Sequence, residues 1–527
     1  MRSSSKVLRE ALVGCALLAP FGPRPAAAQQ APPPTIDTIV VINQNVFDQA
    51  EMLGPIARVG NAIHFRTHAS VIRRTLLFNQ GDPYDSARAV ESGRALRGLN
   101  VFRQVIIDTV RIGDRLALRV ITADGWSTKP QLNYSTAGGS TTWQGGIEEE
   151  NLFGTATSLT ALYTKTPDRS TDSFLYQNPH FLGRRPRLFG LYQALSDGER
   201  GQWALGVPFY ETAARRALGT GGEAGTQRIL RFRDGLLSDS LERHALRFGV
   251  GGGLALHATS HGYLRLWVNA AWRREDFVPE SLTVIPRSVF GTVGAGIEWA
   301  HARYAVLQGF NTYVRREDVN LSQTIRVGLW AAPQAWGYPT GQAGVGGEIS
   351  GQASSVWPGG FAVLRGGANG VYNGTSLDSA RARGGVTIAS QNLMWQTIIF
   401  HVEGGVLRRP KFGSEFDTWN DQTGPRLFGA HAFTGTKTVW VAIEDRFTLA
   451  DDFFGMVGVG IAPFYDWGGA WYDDEPIRTG SDVGIAIRLG PTRAVRGDVE
   501  EFAFGLRYGA GFTGSRWAIA IRRGISF

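Results

Sequence analysis

The chain has 527 residues, 68 of them glycine, with 11% aromatic and only 19% charged residues. That length exceeds one small domain, and the charge is low for a soluble protein of this size. Mean hydropathy is −0.12, and no apolar run after residue 28 is long enough for a spanning helix, which excludes a helical membrane bundle. The formal charge of +8 comes from scattered arginines without interleaved aromatics, which argues against nucleic-acid binding.

Residues 1–28 read as a secretory signal peptide. Arg2, Lys6 and Arg9 form a basic start, Ala11 to Leu18 is apolar, and Ala26-Ala27-Ala28 is an A-x-A cleavage site. A lipobox at Leu12-Val13-Gly14-Cys15 is the weaker alternative, because too few apolar residues precede the cysteine. Cys15 is the only cysteine, so the mature chain has none, which suits an oxidising envelope. Ala31 to Pro34 is a stiff linker into a first domain, 29–125. Thr35 to Val41 is a β-branched strand, and Phe47 to Asn61 is ambiguous. Phe65 to Phe78 has helical spacing with Ile72, Leu76 and Leu77 on one side. Gly81-Asp82-Pro83 is a turn, and Asp85 or Ser86 caps a helix ending near Gly98 with Val90, Leu96 and Leu99 inward. Val101 to Val110 and Leu116 to Thr122 alternate as a hairpin around Ile112-Gly113-Asp114. Gly81, Tyr84, Asp85, Leu96 and Phe102 lie in a stretch that resembles the POTRA pattern, and the strand–helix–helix–strand–strand order has the POTRA layout. The resemblance implies a periplasmic α/β domain whose strand edges receive extended client chains.

From about residue 126 to 527 the chain alternates at period two. Leu264, Leu266, Val268, Ala270 and Trp272 take one parity against Arg265, Asn269 and Arg273. Val289, Val293, Ala295, Ile297 and Trp299 repeat the pattern, as do Ile325, Val327 and Leu329. Successive side chains on a strand face opposite ways, so each run has an apolar face and a small or polar one, the repeated signature of a transmembrane β-barrel. Trp517, Ile519, Ile521, Ile525 and Phe527 share the apolar parity, and the sequence reads as ending on a terminal-strand signal. Glu211 to Glu242, rich in glycine and arginine, reads as an external loop or a strand plus loop. Arg-Arg-Glu-Asp occurs twice, at Arg273–Asp276 and Arg315–Asp318, and reads as a rim or lumen ion-pair cluster.

Several patches are similar to the BamA/TamA family of outer-membrane assembly proteins. They are Gly146 to Thr155 in the opening strands, Asn178-Pro179-His180-Phe181, Glu444-Asp445-Arg446-Phe447 and Tyr465 to Trp471. Arg408 to Thr436 looks like the family's long sixth external loop. There a loop arginine reaches into the lumen and pairs with an acidic residue on the wall. Here Phe428 stands where that arginine is expected, and Arg426 lies two places early. The resemblance makes Arg426, with Asp466 and then Glu444 as wall partners, the candidate loop–lumen lock. If the lock is lost, Phe428 packs on lumen aromatics instead. About 400 residues at roughly 25 per strand and loop give 16 antiparallel strands; the alternating runs count slightly higher, so sixteen leans on the resemblance.

No catalytic set emerges. His64 and His68 are four apart but lack the glutamate of HExxH and a third ligand. "GAHAFTGTKT" imitates a P-loop, but Lys437 does not follow Gly435 directly, and no Gly-x-Ser-x-Gly elbow is present. The expectation is a non-enzyme without cofactor or metal, in contact with outer-membrane lipids, unfolded β-barrel or secreted client proteins, and accessory envelope proteins. It would insert or translocate clients through a lateral seam and by POTRA β-augmentation. A passive pore or structural barrel is the alternative, and a barrel-borne hydrolase a remoter one.

Overall fold

The computed structural model describes residues 33–47, 58, 61, 62, 64–113, 115–279, 285, 288–338, 343–393, 395–419, 422–494, 499–509 and 515–525. The expected signal segment, and Phe527 of the terminal motif, lie outside the described residues.

The N-terminal elements are β1 (Ile36–Gln44), α1 (Ala69–Thr75), α2 (Ser86–Arg97), β2 (Phe102–Ile112) and β3 (Arg115–Asp124). β3 is central, parallel to β1 and antiparallel to β2. Asp85 caps α2, its carboxylate accepting from the Ala87 and Arg88 N–H groups at 2.8 and 3.3 Å. Ala89, Gly93 and Leu96 then face inward, and Leu96 and Phe102 are fully buried in one core with Ile36, Ile72 and Val120. Val90, expected inward, is 64% exposed. It lies about 100° around the helix from Ala89 and falls on the outer side of the stripe that Ala89 and Leu96 define.

Twenty strands then close a barrel, four more than the sixteen expected. The first six are β4 (Thr128–Ala137), β5 (Ser140–Glu149), β6 (Ser158–Lys165), β7 (Ser170–Asn178), β8 (Arg187–Leu195) and β9 (Gly198–Val207). β10 (Arg216–Arg233), β11 (Leu236–Thr259), β12 (Gly262–Pro279) and β13 (Ser288–His301) follow. A short hairpin, β14 (Tyr304–Gln308) with β15 (Arg316–Asn320), interrupts the wall. The wall resumes with β16 (Gln323–Ala332), β17 (Gly344–Trp357), β18 (Gly360–Tyr372), β19 (Leu377–Ser390) and β20 (Gln396–Arg408). Among its described residues the long loop contains only the two-residue strands β21 (Phe416–Asp417) and β22 (Thr434–Gly435). β23 (Lys437–Phe453), β24 (Val457–Trp471), β25 (Gly480–Pro491), β26 (Glu500–Gly509) and β27 (Trp517–Arg523) complete the ring.

The segment read as an external loop or a strand plus loop, Glu211 to Glu242, is mostly the β10–β11 hairpin, paired from Arg216↔Leu254 to Arg233↔Leu236 around the turn Asp234-Gly235. An 18-residue strand extends about 60 Å, well beyond an apolar band about 25 Å tall. Its far half stands in water and needs no apolar alternation, so the period fades there. The loop expected as the sixth is, by this count, the eighth connection at the barrel end away from β1–β3.

The outer wall is apolar. Leu266, Val268, Trp272, Val293, Ile297, Trp299 and Leu329 are all exposed, while Arg265 and Trp267 point inward and are buried. Large aliphatic and aromatic side chains around a closed sheet form a wall built to face lipid. Trp517 and Ile519 lie on this face, 72% and 55% exposed. Ile521 is partly buried. Ile525, expected to share that face, is buried against Trp440 and Ala442. β27 ends at Arg523, so strand parity no longer governs the residues beyond it.

The β14–β15 hairpin packs against the inside of the wall at the end that carries the N-terminal elements. The Tyr313 hydroxyl donates to the Arg488 carbonyl at 2.8 Å. Its ring fills the space beside Gly458, where an added Cβ would lie 2.2 Å from the Tyr313 Cγ. Arg97 of α2 grips Asp318 through two hydrogen bonds of 2.6 Å each, and the Arg94 guanidinium lies 3.7 Å above the Tyr304 ring.

Candidate functional site

Two features meet on the inside of β23–β27. One is a charged cluster, the other the closure between the first and last barrel strands. Inward positions on β24 to β27 are alanine at one level. Ala462 opposes Ala486, Ala486 opposes Ala503, and Ala503 opposes Ala520, all fully buried. Four small side chains in register leave a trough, and Leu427 from the long loop lies in it with Phe464 and Ala137.

The loop places Arg426 beside that trough. Its Nε donates to Asp466 Oδ2 at 2.6 Å and its Nη2 to Asp466 Oδ1 at 3.2 Å, a two-pronged grip. Nη2 also reaches Glu444 Oε2 at 3.0 Å, and Nη1 reaches Glu501 Oε2 at 3.4 Å. The guanidinium stacks 4.0 Å over the Phe464 ring. All four of these charged side chains are fully buried. A charge removed from water requires paired partners, and the cluster supplies them in alternating sign. Arg446 Nε donates to Glu444 at 2.6 Å, and Arg488 Nε to Glu501 at 3.1 Å. Arg446 also donates to the Phe310 and Ile525 carbonyls, each at 2.7 Å. It thus ties the cluster to the β14–β15 hairpin and to the residues after β27. Asp482 accepts from the Leu427 N–H at 2.8 Å, and Arg507 donates to the Leu427 carbonyl at 3.0 Å.

The structure therefore brings Arg426, Asp466 and Glu444 together. The packing of Phe428, expected only where the arginine pairing fails, is present as well. Phe428 lies in a buried group with Phe433, Phe416 and Leu407. Arg426, Leu427 and Phe428 are all buried because the loop is irregular here and no strand parity sends successive side chains to opposite faces. Sequence reasoning missed Glu501, Asp482, Arg446 and Arg488. A signal was available: charged residues at the inward parity of otherwise apolar strands, beside alanines at a constant register.

Beyond Phe428 the loop crosses to the first hairpin. A Cβ at Gly138 (φ +59°) would lie 2.1 Å from the Gly429 nitrogen, so only glycine permits this approach. The Ala430 N–H donates to Ser140 Oγ at 2.8 Å. His431 bonds Asp417 at 2.6 Å and Asp168, in the β6–β7 turn, at 2.9 Å, and stacks on Phe232 at 3.5 Å. Burial lowers the His431 pKa, but the hydrogen bonds and charges of Asp168 and Asp417 outweigh it and raise it to about 9. The loop is thus fastened to β23–β26 on one side and to β4–β7 on the other.

Between those two sides the wall is thin. β27 and β4 share one ladder pair among the described residues, Ile521 with Thr136. β26 and β27, by contrast, pair continuously from Glu500↔Arg523 to Leu506↔Trp517, and β4 and β5 from Thr128↔Glu149 to Ala137↔Ser140. His64, considered with His68 as a ligand pair, bonds Asp124 at 3.0 Å, and no group of metal-binding residues occurs among the described residues.

No family model and no curated protein matches the chain. Among solved structures, CdiB from Escherichia coli is similar with a TM-score of 0.48 at 10% identity, over 95% of this chain and 92% of that one. CdiB from Acinetobacter baumannii gives 0.42 at 11%, over 93% and 73%. BamA from Haemophilus ducreyi lacking POTRA domains 1–3 gives 0.40 at 11%, over 92% and 84%. None of these values bears on what this chain does.

Proposed function

We propose that this chain is an outer-membrane barrel of the BamA/TamA type that inserts or translocates client proteins through a lateral seam between β4 and β27. The single observation that carries the reading is the seam itself, joined among the described residues at Ile521–Thr136 alone while its flanking hairpins are continuously paired. An open strand edge offers unpaired N–H and C=O groups, and an extended client segment can add to it by main-chain hydrogen bonds. No bond is made or broken, so the activity is not enzymatic. The long loop serves as an inner strap: Arg426 on Asp466 and Glu444 holds one side of the seam, and Gly429–Ala430 on the first hairpin holds the other. Residues 29–125 are read as a single POTRA domain in the periplasm, whose β1 or β2 edge receives clients, and residues 126–527 as the barrel.

The test is reconstitution into vesicles with an unfolded β-barrel client. The proposal predicts faster appearance of the client's heat-resistant, protease-protected form than in empty vesicles. The same vesicles conducting ions while leaving client insertion at the spontaneous rate would instead identify a passive pore.

A further inference from the structure

We propose that the cavity between the N-terminal helices and the wall strands β8–β13 is a binding site for a phosphate-bearing ligand. The cavity measures about 1040 Å³, the size of a site for a small organic molecule. Arg74 of α1, Arg185 and Arg187 of the turn into β8, and Arg265 of β12 all line it. None of these four guanidiniums pairs with a carboxylate at hydrogen-bonding distance among the described residues. The acids on the same walls are already engaged, Glu150 by Lys129 at 2.8 Å and Glu298 by Arg326 at 3.1 Å.

Two of the four, Arg185 and Arg265, are held in place by aromatic stacking. Arg185 lies 3.8 Å over the Tyr210 ring. Arg265 is sandwiched between Phe209 at 3.9 Å and Tyr263 at 3.5 Å, and donates to the Glu211 and Thr212 carbonyls. The β9–β10 turn thus supplies adjacent aromatic shelves for guanidiniums from two other elements. Arg74 approaches the β7–β8 turn at Gly183, where an added Cβ would lie 3.5 Å from its Cζ. Stacking fixes the plane of a guanidinium and leaves its N–H edge free for an oxyanion.

The cavity also holds donors that lack acceptors. Arg265 Nε and Trp267 Nε1 are buried without a partner, and these residues are only 6% and 9% exposed. Buried donors are normally satisfied, so a ligand rich in acceptor oxygens fits what these walls lack. Burial and the nearby Arg74, Arg187 and Arg185 charges hold His180 down to about pH 4, so it stays neutral while positive potential gathers around it. Guanidiniums in this number suit a phosphate, whose several oxygens accept from more than one of them at once.

The experiment titrates the full-length protein in detergent micelles with inorganic phosphate and with glycerol 3-phosphate, followed by calorimetry. Saturable binding is expected, weakened about a hundredfold in the Arg185→Gln/Arg187→Gln double variant, about tenfold per guanidinium. The Arg185→Lys/Arg187→Lys variant should retain part of it, and unchanged heat-modifiability certifies that each variant is folded. Absence of saturable heat in the wild type, or equal affinity in the folded glutamine variant, overturns the proposal. Repeating the titration in phosphatidylcholine vesicles with and without phosphatidylglycerol separates two sources of the phosphate. Loss of the signal with phosphatidylglycerol identifies a lipid headgroup as the occupant, and an unchanged signal identifies a soluble phosphate.

Discussion

Replacing Arg426 by alanine removes one guanidinium from three carboxylates, but the loss is not shared evenly. Glu444 keeps Arg446 at 2.6 Å, and Glu501 keeps Arg488 at 3.1 Å. Asp466 loses both prongs of its grip and pairs with no other cation among the described residues, while Asp482 faces it across the ladder. Removing one partner of a buried pair costs about 3–5 kcal/mol. Two of the three acids stay paired, so we expect about 3 kcal/mol for Arg426→Ala. Asp466→Ala leaves Arg426 with Glu444 and Glu501 and costs about 2 kcal/mol, the scale of a charged hydrogen bond. The double variant removes the orphaned carboxylate as well and should cost about 3 kcal/mol, not 5, a coupling of about 2 kcal/mol. Urea titrations of the four proteins in micelles, read by the heat-modifiable shift on cold gels, measure this. Additive losses, or a wild-type midpoint for Arg426→Ala, would refute the idea that this pair fastens the loop.

The remaining predictions concern other joints. His431 has a folded pKa raised above its unfolded value near 6.5, so its contribution is full below that pH and is lost as pH rises through about 9. Limited proteolysis of residues 409–433 should therefore accelerate across that window in the wild type, while His431→Gln should be cut quickly at every pH. Leu96→Ala, at a fully buried site in the N-terminal core, should cost about 2–5 kcal/mol in a melt of that domain, and Val90→Ala, at an exposed one, about 0.5 kcal/mol or less. Tyr313→Ala should loosen the β14–β15 hairpin and raise conductance in planar bilayers, and unchanged conductance would mean that the hairpin does not obstruct the lumen.

Strand segments that cross the apolar band were legible, because alternation is strict where one face must be apolar. β12, β13 and β16 have the expected faces outward. The strand number was not legible. β10 and β11 run far past the apolar band, and Gly219, Gly221 and Gly225 supply small residues that carry no hydropathy signal. Within the N-terminal domain, capping chemistry at Asp85 was readable, but Val90 was assigned by its apolar character alone. Arg426 and its two acids were chosen by resemblance. Their full company, Glu501, Arg446, Arg488 and the alanine row, depends on inter-strand register, which spacing along one strand does not reveal. Ile525 shows the same limit: parity holds only while the strand continues.

The most direct test of the seam is to lock it. Thr136 and Ile521 are directly opposed across β4 and β27, so cysteines at both positions sit at a separation that a disulfide can bridge. In vesicles carrying the Thr136→Cys/Ile521→Cys protein, the account predicts that oxidation stops client insertion and that reduction restores it, with each single variant active throughout. Client insertion that proceeds at the same rate with the disulfide formed would contradict it.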